Sequence, residues 1–201
     1  PASQPEATKV NDFIYLSEGL SNAFLISTPE GRIVVNTGMG FEAPVHKRNF
    51  DAVDDGPTRY ILFTQGHVDH VGGTDLFGAE GSKVVGLANT PAHPAADARI
   101  SAFRALRSGF AFAETIGKAL QYIHKNIGGG LPRHSSPTPD ITFDDRLELE
   151  LGGVRMELLW TPGGETTDSM VIWLPDHGIV FTGNLFSALF GHFPNLVTIR
   201  G

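Results

Sequence analysis

The sequence Thr64-Gln65-Gly66-His67-Val68-Asp69-His70-Val71-Gly72-Gly73 places two imidazoles and a carboxylate within four positions. It begins at the end of residues 60–64, a continuous apolar run that is typical of a buried strand. Imidazole nitrogen and carboxylate oxygen are normal zinc ligands, and a loop at a strand end can turn all three side chains toward one point. The segment therefore predicts a metal site with His67, Asp69 and His70 as ligands.

A zinc ion at such a site would support hydrolysis at neutral pH. Bound Zn²⁺ lowers the pKa of its water from about 16 to about 7, so that metal-activated hydroxide becomes available. The chain contains no cysteine, which excludes disulfides and thiolate zinc sites. Any metal must therefore be held by histidine, carboxylate or amide oxygen.

Composition limits the classes of partner. The 201 residues fit one substantial domain. The net charge of −7, without a block of Lys or Arg, argues against nucleic acid as the main partner. Because no apolar run approaches about 20 residues, the sequence predicts no membrane span.

Short apolar runs surround the histidine segment and predict strands. Those before and just after it are residues 13–16, 23–27, 32–35 and 83–87. Those nearer the end form two predicted hairpins, residues 147–160 and 169–181. Strands followed by helices and then by strands favour an α/β sandwich over a doubly wound sheet, and no GxGxxG or P-loop motif occurs.

Residues 95–139 are predicted to form a helical insert that roofs the site. Apolar residues recur at helical spacing through residue 127, which predicts one or two helices with Gly109 as a possible break. The Gly, Pro and Ser residues that follow predict a mobile loop over residues 128–139. Four aromatic residues on the insert are interpreted either as core packing or as an apolar lid suited to an alkyl chain: Phe103, Phe110, Phe112 and Tyr122.

Four motifs resemble the signatures of the metallo-β-lactamase superfamily. Residues 65–70 resemble its HxHxDH signature. The other three are Asn36-Thr37-Gly38 in place of Asp-Thr-Gly, Thr161-Pro162-Gly163-Gly164-Glu165 in place of Thr-Pro-Gly-His, and Phe181-Thr182-Gly183-Asn184 in place of Phe-Thr-Gly-Asp. The resemblance covers most of residues 1–201, read as a single domain, and implies an αββα sandwich with the metals at one edge.

The resemblance also implies the metal-binding residues. One metal position would be formed by Gln65, His67 and Glu165, and the other by Asp69 and His70, which share Glu165. Asp69 is in addition the candidate catalytic residue. The cofactor would be Zn²⁺ or another divalent ion, with one or two ions bound.

Three departures from the family pattern weaken the predicted site. Gln65 replaces the first histidine, and an amide oxygen binds metal more weakly than imidazole. Gly164 cannot be a ligand, although Glu165 beside it can. Asn184 replaces the bridging aspartate, and a neutral amide is a poor bridge. The family's last histidine has no counterpart before the chain stops at Gly201, so weak two-metal occupancy is expected.

Two features resemble the alkyl sulfatase branch of the superfamily. Glu165 stands where that branch has a glutamate in place of the missing histidine, and residues 195–201 resemble its Asn-Leu-Tyr-Thr-Leu-Arg-Gly motif. The resemblance implies that Asn195 and Arg200, with His192 just before them, bind the substrate, because a guanidinium fork suits a tetrahedral oxyanion. The implied reaction is hydrolysis of an alkyl sulfate or related anionic ester.

Alternatives stay open on the sequence alone. The chain could catalyse another superfamily reaction, as a β-lactamase, lactonase or thioesterase, or it could be a non-catalytic domain with a decayed metal site, as Gln65 and Asn184 suggest. Alkyl sulfatases continue past this point into further domains. The chain is therefore interpreted as a fragment truncated at its C-terminus, with little sulfatase activity of its own and with homodimerisation left to the missing region.

Overall fold

The computed structural model describes residues 5–126 and 133–185. Seven strands form the larger sheet, and they lie side by side in chain order. They are β1 (Thr8–Lys9), β2 (Ile14–Ser17), β3 (Ala23–Thr28), β4 (Gly31–Val35), β5 (Thr58–Leu62), β6 (Lys83–Leu87) and β7 (Ile141–Phe143). Neighbours from β1 to β4 are antiparallel, whereas those from β4 to β7 are parallel.

Four antiparallel strands form the smaller sheet, in the order β11-β10-β9-β8. They are β8 (Arg146–Leu151), β9 (Val154–Trp160), β10 (Met170–Leu174) and β11 (Ile179–Phe181). Along β9, buried residues alternate with less buried ones. Alternation of this kind is expected when one face of a sheet covers a core and the other meets water.

The core lies between the two sheets. Leu25 and Ile33 of the larger sheet belong to one buried cluster with Met156 and Ile172 of the smaller sheet. All five residues of β4 are buried, so both faces of the larger sheet are covered there.

The helices within the described residues are α1 (Ala43–Asp51), α2 (Val68–Val71), α3 (Thr74–Phe77) and α4 (Ala92–Asn126). Helices α1 and α3 pack against the larger sheet, at β2 and β5 respectively. The rings of Phe50 in α1 and Phe77 in α3 lie 6.2 Å apart and tie these two helices together. The predicted α/β sandwich is confirmed. The sequence predicted neither α1 nor α2, and the segment of α2 was expected to be a loop.

Helix α4 is one continuous helix that runs through Gly109 without a break. Phe103 and Phe110 are 62% and 82% exposed, so their interpretation as core packing is wrong, while Tyr122 lies under the Arg48 guanidinium. The side chain of Phe112 lies outside the described set. Although α4 has 35 residues, neither it nor any other helix within the described ranges is apolar enough over its length to cross a membrane.

The segment predicted as a mobile loop is only partly covered, because residues 127–132 lie outside the described ranges. The described part is hydrogen-bonded to the body of the protein. The amide of Ser135 donates to the carbonyl of Gly72 at 2.7 Å, and the amide of Gly40 donates to Nδ1 of His134 at 3.0 Å. The mobility of the loop stays a prediction.

Candidate metal centre and active site

The histidine segment lies at the carboxyl end of β5, where the sequence placed it. His67 precedes the first residue of α2, and His70 lies within that helix. Two positions around this segment have room only for glycine, because neighbouring atoms lie too close for a Cβ. A Cβ on Gly66 would lie 2.7 Å from the carbonyl oxygen of Thr90, and one on Gly73 would overlap Ala43.

His70 is oriented by residues from three neighbouring segments. Its Nδ1 lies 3.3 Å from Oγ1 of Thr64, and that hydroxyl lies 3.0 Å from Nδ2 of Asn36. The Oδ1 of Asn36 accepts the backbone amide of Thr64 at 3.0 Å. The backbone carbonyl of His70 accepts the amide of Thr37 at 2.7 Å. The motif 36–38 therefore acts as the frame that holds His70, a role that its sequence resemblance did not specify.

Glu165 joins the two halves of the candidate site. Its Oε2 accepts hydrogen bonds from Nε2 of Gln65 at 2.8 Å and from Nδ2 of Asn184 at 2.7 Å. Its Oε1 lies 3.7 Å from Nδ1 of His67, which also lies 3.0 Å from Nε2 of Gln65. Residues separated by as many as 119 positions in the chain thus meet around one carboxylate.

The second half of the site is built on His70. Its Nε2 lies 3.2 Å from Nδ2 of Asn184 and 3.4 Å from Oδ2 of Asp69. The structure therefore brings together all six residues for which a metal-binding role was predicted: Gln65, His67, Asp69, His70, Glu165 and Asn184. Their binding of metal remains a prediction.

The donor chemistry of this cluster fits a divalent ion, but the arrangement is that of a hydrogen-bonded network. Across the described ranges, no three His, Asp or Glu side chains converge in a geometry that would hold a metal as they stand. Two amides lie between them instead, and each directs an N–H group at Glu165. Rotation of the Gln65 amide by 180° would replace that N–H with an oxygen, which can bind a cation.

A cleft of about 620 Å³ opens beside His70. Asp69, His70 and Asn184 line part of it. Polar residues such as Ser21, Asn22 and Thr182 line a second part, and apolar side chains line a third, among them Ile14, Leu20, Phe24, Val180 and Phe181. The apolar surface next to the site therefore comes from the sheets and from the loop between β2 and β3.

Glu42, the residue before α1, holds the loop that borders this cleft. Its Oε1 accepts the backbone amide of Leu20 at 2.6 Å. Burial raises the pKa of Glu42 to about 7. Burial also lowers the pKa of His46, one turn later, to about 4, and its Nδ1 lies 2.8 Å from Oγ of Ser17. Neither burial could be predicted from the sequence, because Glu42 and His46 are single polar residues outside any motif.

His93 and Asp168 form a pair that the sequence reasoning missed, since His93 was interpreted as a surface or structural residue. Nε2 of His93 lies 3.1 Å from Oδ1 of the buried Asp168, and the His93 ring lies edge-on to that of His67 with centroids 6.2 Å apart. Helix α4 thus begins beside the candidate site. The acidic residue three positions after Glu165 was the available signal for this pair.

The three predicted substrate-binding residues, His192, Asn195 and Arg200, lie outside the described residues. Their role stays a prediction.

Comparison with known proteins identifies the family. The family model of the metallo-β-lactamase superfamily matches residues 16–194. This chain belongs to that superfamily. The predicted resemblance is confirmed at this level, and the order of motifs along the chain is the reason that it could be recognised.

Relatives lie in two branches of the superfamily. The linear primary-alkylsulfatase of Pseudomonas sp. (strain ATCC 19151) is 27% identical over 192 residues, covering 88% of this chain and 35% of that protein. The sec-alkylsulfatase Pisa1 from Pseudomonas sp. has a similar fold, with a TM-score of 0.59 at 18% identity over 86% of this chain and 30% of that one. The class B3 di-zinc metallo-β-lactamase LRA-12 from an Alaskan soil metagenome gives 0.57 at 21%, over 85% and 58%.

The likeness to the two solved structures concerns the fold alone. This chain spans about a third of the length of the curated alkylsulfatase that it matches.

Proposed function

We propose that this chain is the metal-binding part of a hydrolase that acts on alkyl sulfates or related anionic esters. The observation that carries the proposal is the convergence on Glu165 of side chains from two distant segments, Gln65 with His67 and Asn184. Imidazole, carboxylate and amide groups are the donors that a cysteine-free zinc site requires. A cluster of this composition, formed where β5, β9 and β11 end, is more than packing requires.

We assign the metal-binding roles in two groups. Gln65, His67 and Glu165 would hold one ion, and Asp69 with His70 would hold a second, sharing Glu165. When bound, zinc supplies a water whose pKa is low enough for hydrolysis at neutral pH. Because the amide of Asn184 carries no charge, it does not offset the repulsion between two close cations, so one ion should bind much more tightly than two.

The surrounding residues have their own tasks. The hydrogen bonds from Asn36 and Thr64 fix the ring of His70 before any ligand arrives. We propose that Asp69 accepts the proton that is released when water attacks an ester; its Oδ2 lies 3.4 Å from Nε2 of His70, and the residue lines the cleft.

The cleft supports a substrate with an apolar tail. Its apolar walls match an alkyl chain, and its polar residues lie where a head group would meet the metal-binding cluster. The similarity to a linear primary-alkylsulfatase supports a sulfate ester as that head group. His192, Asn195 and Arg200 remain the proposed anion-binding residues.

A zinc-dependent sulfatase assay tests the proposal. Zinc-reconstituted protein should release inorganic sulfate from a medium-chain alkyl sulfate, and Glu165→Gln should abolish the release. The full product of the gene should be assayed beside residues 1–201, since the chain spans only 35% of the alkylsulfatase. A zinc-loaded full-length protein that cleaves lactones, thioesters or β-lactams instead would contradict the substrate assignment.

One observation favours a second candidate, a non-catalytic domain. The N–H groups of Gln65 and Asn184 both donate to Oε2 of Glu165, so two neutral amides stand where the family has an imidazole and a carboxylate. A decayed metal site would have this composition. Elemental analysis distinguishes the two: less than about a tenth of an equivalent of zinc, retained by folded protein after reconstitution, would favour the non-catalytic domain.

A further inference from the structure

The middle of α4 makes little contact with the rest of the described protein. Every described side chain from residue 98 to residue 107 is exposed, whichever side of the helix it occupies. The two ends are attached, because His93 pairs with Asp168 near the start and Ile123 is 2% exposed near the end. Helix α4 is therefore attached to the described protein near both ends, whereas its middle makes little contact with it.

Three large apolar side chains lie on one side of the middle of α4. Phe103, Leu106 and Phe110 are 62%, 86% and 82% exposed, and their spacing of three and four residues places them in one row along the helix. We call these three residues the α4 apolar row. Single exposed apolar residues are ordinary, but a contiguous row that the described residues leave largely uncovered indicates a binding surface.

The charge of α4 differs in sign from that of the chain. The helix carries five Lys or Arg and two Asp or Glu, a net charge of +3, whereas the whole chain carries −7. Arg99 precedes Phe103 by one turn, and the guanidinium of Arg107 lies 5.6 Å from the centre of the Phe103 ring. Positive charge thus borders the α4 apolar row directly.

We propose that α4 lies on an anionic lipid surface, with the α4 apolar row inserted among the acyl chains and Arg99 and Arg107 at the head groups. A basic helix with aromatic and leucine side chains on one side has the composition of helices that lie in the plane of a bilayer interface. A second copy of this chain is a poorer occupant, because pairing two α4 helices would bring like charges together. The proposal does not depend on the proposed hydrolase activity.

Co-sedimentation with lipid vesicles tests the apolar part of the proposal. The protein should bind vesicles that mix phosphatidylglycerol with phosphatidylcholine, and it should bind pure phosphatidylcholine at least tenfold more weakly. The triple variant Phe103→Ala, Leu106→Ala, Phe110→Ala should lose at least tenfold in affinity for the anionic vesicles. Because these side chains are exposed, circular dichroism should show an unchanged fold.

Matched controls separate α4 from general surface effects. Val53→Ala and Leu76→Ala remove side chains that are 38% and 39% exposed, outside both α4 and the cleft, and they should leave vesicle binding unchanged. Arg107→Glu should weaken binding several-fold, whereas Lys83→Glu, at an exposed position of β6, should have little effect. Raising the salt concentration should weaken binding by the wild type.

Three results would overturn the proposal. The first is a folded wild-type protein that fails to bind anionic vesicles. The second is a triple variant that binds them as well as the wild type does. The third is a wild-type dimer in analytical ultracentrifugation, without lipid, that the triple variant converts to monomer, because a second copy would then be the occupant of the α4 apolar row.

Discussion

The loop at the carboxyl end of β5 buries its polar side chains, whereas the middle of α4 exposes its aromatic ones. In the loop, His70 is 2% exposed and is held by residues that come from distant parts of the chain. In α4, Phe110 is 82% exposed. The loop is fixed by long-range contacts and can hold a preorganised site, whereas the middle of α4 depends on its own helical hydrogen bonds and leaves its side chains available.

The largest difference between the two regions should appear in stability. Phe63, at the end of β5, is fully buried, so Phe63→Ala should lower the free energy of unfolding by about 3–5 kcal/mol. Phe110→Ala makes the same chemical change on α4 and should change it by less than about 0.5 kcal/mol. Urea unfolding followed by circular dichroism measures both. Similar losses in the two variants would show that α4 is packed in solution.

A second comparison concerns the pH dependence of two glutamates. The native pKa of Glu42 is about 7, above its ordinary value of 4.5, because the carboxyl is buried. The native state therefore binds the proton more tightly, and the stability that this contributes is complete below pH 4.5 and is lost as the pH rises through 7. Glu42→Gln removes this titration, so the variant should gain about 3 kcal/mol relative to wild type between about pH 4 and 8.

Glu114→Gln on α4 is the matched control. Glu114 is exposed and its pKa is lowered by the hydrogen bond from Lys118, so its replacement should not reproduce that gain. His46 titrates in both proteins and cancels from the comparison. Unfolding free energies measured at several pH values test the sign: a Glu42→Gln variant that loses stability relative to wild type as the pH rises would contradict the assignment.

The third comparison concerns zinc affinity. If the proposed site is correct, His70→Ala should weaken zinc binding at least tenfold, because the imidazole is removed from a position that Thr64 and Asn184 hold in place. His124→Ala, an exposed histidine near the end of α4, should leave the affinity unchanged. Competition with a chromophoric chelator gives both values. Equal affinities would exclude His70 as a ligand.

The same contrast explains which features the sequence could predict. Strand β9 was predictable because burial on one face leaves alternating apolar residues in the sequence. Strand β5 was predictable because burial on both faces leaves a continuous apolar run. The segment 64–73 was predictable because its ligands are close in the chain. Helix α1 was missed because it is short, and Glu42 was missed because its burial depends on contacts with residues far along the chain.

Long-range geometry was the part that the sequence could not supply. The motifs predicted Glu165 and Asn184 as candidate ligands. They did not predict the contacts of Glu165 with Gln65 and Asn184, or that of Asn184 with His70. For α4 the sequence left two interpretations of Phe103 and Phe110, core packing and an apolar lid. Their exposure contradicts core packing, because the same helical spacing also occurs on a surface that faces outward. The lid stays a prediction.

The smallest expected effect uses the glycines of α4. A Cβ added to Gly109 or Gly117 would meet no atom of the described part of the chain within 4 Å, and neither residue has the positive φ that favours glycine. In the middle of a helix, glycine is about 0.5–1 kcal/mol less favourable than alanine, because glycine loses more conformational freedom when the chain folds. Gly109→Ala and Gly117→Ala should therefore each raise the free energy of unfolding by roughly that amount.

Gly73→Ala, in the segment that follows β5, should have the opposite effect. Its Cβ would overlap Ala43, so the variant should be less stable than the wild type. Chemical unfolding of the three variants measures all these changes. The α4 gain requires that unfolding of the helix is part of the global transition, which its attachments at His93 and Ile123 predict. An unchanged midpoint in both α4 variants, with increased helicity by circular dichroism, would mean instead that the middle of α4 unfolds independently of the two sheets.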